Sequence, residues 1–361
     1  MPKVNLLYSP TGGGKSSLFG TFARGLHAAT GKRSRVYTAD GGDWLDRDLV
    51  EAGIVEIWHM NRATYPFERL REVCQGAWPT DPSDPDSPII PAVLATKYLA
   101  KCLGCNKVLH DSEKLPATPI VECKECRRPV PLKIARRINE ANGIQGIGAV
   151  FYEGLTAFSD MLMDNMSART ARGEKIGEDA AVRFQDGSEA VAGSSRSSYG
   201  IAQRRPKAAV EESRLLPVDY VWWSARLNRG TDDERRVPVF GPKVAGNAAT
   251  DEIPAWFGVT LGLTIAPATP KGVERRLYLR NFYQEWNKAI ADVENLANAR
   301  IPPHRLSDKF KLDGREYANV PDYFVYNAAN ATMLWDVMQV IEARQATPAQ
   351  VQQVVSPAPS K

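Results

Sequence analysis

The pattern of apolar and polar positions changes period within the first forty residues. Leu6, Leu7 and Tyr8 form a short continuous apolar run, as in a strand buried on both faces. After a glycine-rich stretch, Leu18, Phe22 and Leu26 recur every four residues, which is the spacing of one helix face. Gly31 stands where that helix is expected to stop. The alternation continues. Residues 35–39 read as a strand ending at Asp40, followed by Gly41, Gly42 and a helix-like run, and residues 54–58 read as a further strand. Residues 147–152 read as an apolar strand ending in Glu153, with an amphipathic helix running on through Met163. Residues 220–225 read as a buried strand ending in Arg226. A late strand over 275–280, a helix over 285–299 and a last helical stretch from Tyr323 to Arg344 complete the reading. Strands alternating with helices predict an α/β fold with a mainly parallel sheet flanked by helices. Ligands of such sheets sit at the carboxyl ends of the strands, where Asp40, Glu153 and Arg226 all fall.

Composition narrows this only in part. The chain has 361 residues, 43% of them hydrophobic, enough to bury a sizeable core, and a net charge of +4 is too small to imply a nucleic-acid partner. The opening residues, with Lys3 ahead of a strand-like run, are expected to carry no secretory signal, and no apolar run reaches the length of a membrane helix. A cytoplasmic protein without membrane contact is expected. A linker rich in Pro, Asp and Ser over 79–88 cannot continue a helix or a central strand. The expected organisation is a core over 1–79 and 141–305, an insertion over 80–140, a helical segment over 306–346 and a flexible tail over 347–361.

The stretch between the first strand and the first helix carries the chemistry. Ser9, Pro10, Thr11, Gly12, Gly13, Gly14, Lys15, Ser16 and Ser17 match the phosphate-loop pattern at Gly14, Lys15 and Ser16, with Ser9 where a leading glycine is usual. Such loops turn backbone N–H groups inward around an anion, and glycines permit the dihedral angles this needs. Lys15 is expected to reach the β and γ phosphates of a nucleoside triphosphate, and Ser16 to place a hydroxyl on Mg²⁺. Glu153 is the candidate magnesium carboxylate, with coordination and water polarisation both open to it. Asp40 is the candidate for orienting the attacking water. Arg226 is a candidate sensor of the γ phosphate, or equally a surface residue.

Four of the five cysteines form two C-x-x-C pairs, Cys102 with Cys105 and Cys123 with Cys126. Two such knuckles complete a tetrahedral four-sulfur shell, so structural zinc is expected. Intracellular disulfides and a redox dithiol fit less well. His110 is expected to be a bystander, and Cys74 a buried small apolar residue. The ribbon is basic, which suits either nucleic acid or plain solvation.

In their order, residues 9–17, Ala39-Asp40, residues 152–157 and residues 221–226, with the glycine-rich 239–248 and the following 253–258, resemble the RecA-like P-loop ATPases, in particular their phage-encoded branch. The resemblance implies Mg²⁺-dependent hydrolysis of ATP, in preference to GTP, in recombination, replication or repair. It also implies assembly into rings or filaments with ATP between subunits, and DNA contact, single-stranded in preference, through two loops. Residues 165–213 and 228–252 are the candidates for those loops. From Ala190 to Val210 there is no acidic residue, which suits a polyanion, and Tyr199 is placed to stack a base; a plain surface loop fits the same composition. A nucleotide-driven assembly or packaging component, and a nucleotide-binding regulator with little turnover, are the competing readings.

Overall fold

The computed structural model describes residues 2–39, 47–60, 72–84, 87–90, 94–102, 104–105, 107–112, 114, 120–131, 133–138, 143–171, 182–183, 189–190, 196–232, 237–244, 253–265, 274–279, 309–312, 315–318, 321 and 323–345. Within them the chain is α/β. The central sheet has nine strands: β1 (Lys3–Ser9), β2 (Arg33–Thr38), β3 (Val55–His59), β4 (Ile147–Glu153), β5 (Tyr220–Asp232), β6 (Val237–Pro242), β7 (Val259–Ile265), β8 (Arg275–Tyr278) and β9 (Tyr323–Val325). Their order is β9-β8-β7-β1-β5-β4-β2-β3, with β6 hairpinned onto the far end of β5. From β7 to β3 every neighbouring pair is parallel. Only β8, β9 and β6 run antiparallel to their neighbours. The sheet is therefore mixed and mostly parallel.

The helices are α1 (Lys15–Thr30), α2 (Arg47–Glu51), α3 (Leu155–Ala171), α4 (Arg196–Ser213) and α5 (Met333–Gln345). The two faces of the sheet have separate cores. On one, Leu18, Phe19, Phe22 and Leu26 of α1 pack with Leu334, Val337 and Ile341 of α5. Phe19 stacks on Phe151 with ring centroids 3.9 Å apart, and Phe22 meets Trp222 edge-on. Full burial of side chains of this size contributes about 1.5–3 kcal/mol each, so the four-residue spacing of the sequence fixes which side of α1 meets the sheet. Gly25 makes the two helices' close approach possible, since a Cβ there would lie 2.3 Å from Trp335. The other face is covered by Leu155, Phe158 and Met161 of α3, with Val73, Trp78 and Val210.

A row of aromatic side chains crosses this second face, one residue before the ends of β2, β3 and β4 and level with them on β5. Trp58, Tyr37, Tyr152 and Trp223 occupy matched positions on β3, β2, β4 and β5. Tyr37 and Tyr152 stack at 5.1 Å, and Tyr152 and Trp223 at 4.4 Å. Aromatic pairs of this kind add about 0.5–1.5 kcal/mol beyond area burial. Because side chains alternate along a strand, the residues that follow, Thr38, Glu153 and Ser224, form a second matched row facing α1.

The structure departs from the sequence expectations in three places. The last helical stretch does not begin at Tyr323: Tyr323–Val325 is β9, paired with β8, and α5 starts only at Met333. Asn330 Oδ1 accepts from the Thr332 N–H at 2.9 Å, and this local turn separates strand from helix. Residues 165–213 are not one loop, since α3 runs to Ala171 and Arg196–Ser213 is α4. Residues 228–242 are largely the β5/β6 hairpin, so β5 does not end at Arg226. The expected helix over 285–299 lies outside the described residues.

Past Trp78–Pro79 and its partner Ile89–Ile90, the insertion is β structure. Leu94–Lys101 is the middle strand between Val108–Ser112 and Lys133–Ile138, and Ile120–Glu122 pairs with Pro129–Pro131. Among the described residues, no helix is long and apolar enough to cross a membrane.

Candidate functional site

The chain leaves β1 at Ser9 and turns through Pro10–Gly14 into α1. The Gly13 N–H donates to the Pro10 carbonyl at 3.1 Å, and Gly12 and Gly14 take the left-handed region with φ of 72° and 96°. A side chain at Gly13 would force Ser9 or the loop to shift, since its Cβ would stand 2.6 Å from Ser9 Oγ. Gly14 occupies the N-cap of α1 with no side-chain cap, and no acidic residue stands in the first turn. The opening N–H groups of a sixteen-residue helix are thus offered, with its positive dipole end, to an external anion.

The serine at the leading glycine position has a visible role. Ser9 is fully buried. Its Oγ donates to the Pro10 carbonyl at 2.8 Å and accepts from Lys15 Nζ at 3.2 Å. The lysine is therefore held back against the loop.

Across from the loop, Glu153 is 5% exposed. Its two oxygens are divided between two hydroxyls: Ser16 Oγ donates to Oε1 at 2.8 Å and Thr38 Oγ1 to Oε2 at 3.2 Å. Of the residues singled out in the sequence, the structure joins Ser16 to Glu153 and holds Lys15 on Ser9, and it adds Thr38, which had no motif to mark it. Ser224, in the same row, is 1% exposed, and its Oγ has no hydrogen-bond partner among the described residues.

Arg226 sits in register with Ser9, where β5 leaves the parallel sheet. Its N–H donates to Thr156 Oγ1 at 2.9 Å, while Thr156 Oγ1 donates to the Lys243 carbonyl at 2.5 Å and the Lys243 N–H to the Arg226 carbonyl at 2.7 Å. The start of α3 is thereby tied to the base of the hairpin. Pro10 and Ser16 are half-buried, and Thr11 and Ser17 are exposed at the mouth. Asp40 lies outside the described residues.

No protein-family model matches the sequence, and comparison with curated proteins finds no similar chain. The chemistry of the two sites rests on their geometry.

The second site is the cysteine cluster. The sulfurs of Cys102, Cys105, Cys123 and Cys126 all lie within 4.8 Å of one another, with Cys102 and Cys123 buried. Both knuckles close identically: the Cys102 N–H donates to the Lys107 carbonyl at 2.9 Å and the Cys123 N–H to the Arg128 carbonyl at 3.0 Å. Gly104 leaves room for the opposite knuckle, since a Cβ there would stand 3.2 Å from Cys126 Sγ. Hydrogen bonds from the Cys105 and Gly104 backbones to the Cys102 sulfur bring its thiol down to about 6, while the crowded neighbouring sulfurs leave Cys105 and Cys126 raised, so the first thiolate of the cluster falls on Cys102. The four sulfurs fit one tetrahedral ion such as zinc, with no position left for water. His110 points elsewhere: its Nε2 lies 3.1 Å from the Lys114 carbonyl. Cys74 is fully buried, and burial pushes its thiol well up, as for a core residue.

Proposed function

We propose that this chain is a Mg²⁺-dependent ATPase of the RecA-like P-loop kind, that it works on DNA as a ring or filament, and that its zinc ribbon is structural. One observation carries the reading: an uncapped, glycine-built turn runs into α1 so that Lys15 and Ser16 stand at the helix start, with Ser16 hydrogen-bonded to the buried Glu153 carboxylate. The site also lies at the carboxyl end of β1, with α1 on one face and the β5 row beside it, where ligands of parallel sheets bind.

In this reading the loop N–H groups hold the phosphates, and Lys15 leaves Ser9 to meet the β and γ oxygens. Ser16 and Glu153 supply the hard oxygen donors that suit Mg²⁺, whose charge offsets that of the phosphoryl group being transferred. Thr38 fixes the second carboxylate oxygen and so the orientation of Glu153. Asp40 orients the attacking water, and Arg226 answers charge at the terminal phosphate. DNA contact is supported by the run without acidic residues from Ala190 to Val210, which takes in α4 up to its last three residues and where Lys207 is exposed.

The test is steady-state ATP hydrolysis with Mg²⁺, alone and with single-stranded or duplex DNA, with Lys15→Ala as the blank. The reading expects hydrolysis that Lys15→Ala abolishes and that single-stranded DNA stimulates. Turnover indifferent to DNA would remove the DNA half of the proposal, and ATP bound as tightly by Lys15→Ala as by the unmodified chain would remove the phosphate loop itself.

A further inference from the structure

The hairpin of β7 and β8 brings one arginine back over the phosphate loop from the side opposite Glu153. In the sheet, β1 lies between β5, which leads to the Glu153 strand β4, and β7. Arg275 opens β8 in register with Ile265, three residues beyond Gly262, which pairs with Tyr8 of β1. It therefore projects past the end of β1, level with the loop. Its side chain lies against the last glycine: Nε and Cδ are 3.6 and 3.7 Å from where a Gly14 Cβ would stand.

Two details separate this arginine from an ordinary surface cation. The next residue, Arg276, is fully engaged: its Nε donates to Glu274 Oε1 at 2.5 Å, and its guanidinium lies 4.6 Å from the ring centroid of Tyr323. Arg275, on the other side of the strand, has a buried Nε with no hydrogen-bond partner among the described residues. A buried donor without a partner costs about 1–3 kcal/mol. An anion at the loop removes that cost. The guanidinium also suits phosphate because its planar fork binds two oxygens at once.

We infer that Arg275 is a phosphate ligand supplied in cis, closing the nucleotide site on the flank opposite the Ser16–Glu153 pair. This deepens the proposed function and rests on it. The triphosphate is then held between a magnesium side built by β4 and β2 and a cationic side built by β8. The hairpin that carries Arg275 becomes sensitive to whether the site is filled.

The experiment is equilibrium titration of the full-length protein with ATP, and with inorganic tripolyphosphate as a competitor that lacks base and ribose. Arg275→Met keeps the bulk of the side chain without its charge, Arg275→Lys keeps the charge without the fork, and Lys15→Ala reports on the loop. Loss of one charge-assisted phosphate contact is expected to weaken ATP and tripolyphosphate alike by about 10- to 100-fold in Arg275→Met. Arg275→Lys should recover part of this, and Arg275→Met should flatten the dependence of affinity on salt. Circular dichroism matching the unmodified chain establishes that a variant is folded. Should Arg275→Met fail that check, Arg275→Lys decides alone: weaker tripolyphosphate binding supports the assignment, and unchanged binding overturns it. Unchanged affinity in a folded Arg275→Met, with Lys15→Ala inactive in binding, overturns the role of Arg275 and leaves the phosphate loop standing. Undiminished binding by Lys15→Ala overturns the loop, and this inference falls with it.

Discussion

Replacing Ser9 by alanine isolates what its hydroxyl does in the loop. Ser9 Oγ accepts from Lys15 Nζ at 3.2 Å, so an incoming phosphate must first draw the ammonium away. A hydrogen bond with one charged partner contributes about 1.5–3 kcal/mol. Here Lys15 is half-buried, so water takes over part of that interaction, and we take about 1 kcal/mol as the cost of release. That corresponds to about a 5-fold change in an equilibrium constant. Ser9→Ala is therefore expected to bind ATP about 5-fold more tightly, while the nucleotide-free protein melts about 2 °C lower. Titration with ATP and a thermal melt without nucleotide read the two halves separately. Weaker ATP binding would refute the reasoning, because the hydroxyl would then serve the phosphate directly. Unchanged binding would refute it too, because the bond to Lys15 would then carry no free energy.

Gly13→Ala should destabilise the loop by about 1–3 kcal/mol, as overpacking does, because its Cβ falls 2.6 Å from Ser9 Oγ and 2.9 Å from Ser9 Cβ. Ser9→Gly should restore much of the loss in the double variant, and additive melting shifts would show that the two sites are not in contact. Thr38→Val should leave the fold intact while weakening Mg²⁺ by about 10- to 100-fold, the usual effect of losing a group that orients a metal ligand; magnesium-dependent hydrolysis curves that superimpose would rule that role out. Glu153→Gln should retain ATP but lower turnover by about 100-fold or more, and wild-type turnover in that variant would exclude Glu153 from the chemistry. For the ribbon, elemental analysis should find one zinc per chain, lost with Cys102→Ser. A folded ribbon free of metal is the outcome that ends the zinc reading.

Much of this was legible in the sequence because the signals were local. The apolar run at Leu6–Tyr8, the glycines before Lys15 and the four-residue spacing of Leu18, Phe22 and Leu26 each act within a few residues, and β1, the loop and α1 formed where they pointed. The two C-x-x-C pairs encode knuckles the same way. What escaped notice depends on register between distant segments. Thr38 meets Glu153 only because β2 and β4 align at those residues, 115 positions apart, and no motif surrounds it. Arg275 reads as one of three arginines in the late strand over 275–280, and only the β7/β8 hairpin distinguishes the one over the loop from Arg276, paired with Glu274. At the end of the chain, the aromatic and apolar residues from Tyr323 to Val325 fit a helix face as well as an edge strand. Tertiary pairing with Arg276–Tyr278 decided for the strand.

The aromatic row that crosses the sheet has an optical consequence. Tyr37 and Tyr152 lie 6.0 and 4.4 Å, ring to ring, from Trp58 and Trp223 respectively, close enough for excitation absorbed by the tyrosines to pass to the indoles. Native protein excited at a tyrosine wavelength should therefore glow mainly as tryptophan. Tyrosine emission should rise when these strands part, so this row contributes an intrinsic optical report on the sheet at Glu153.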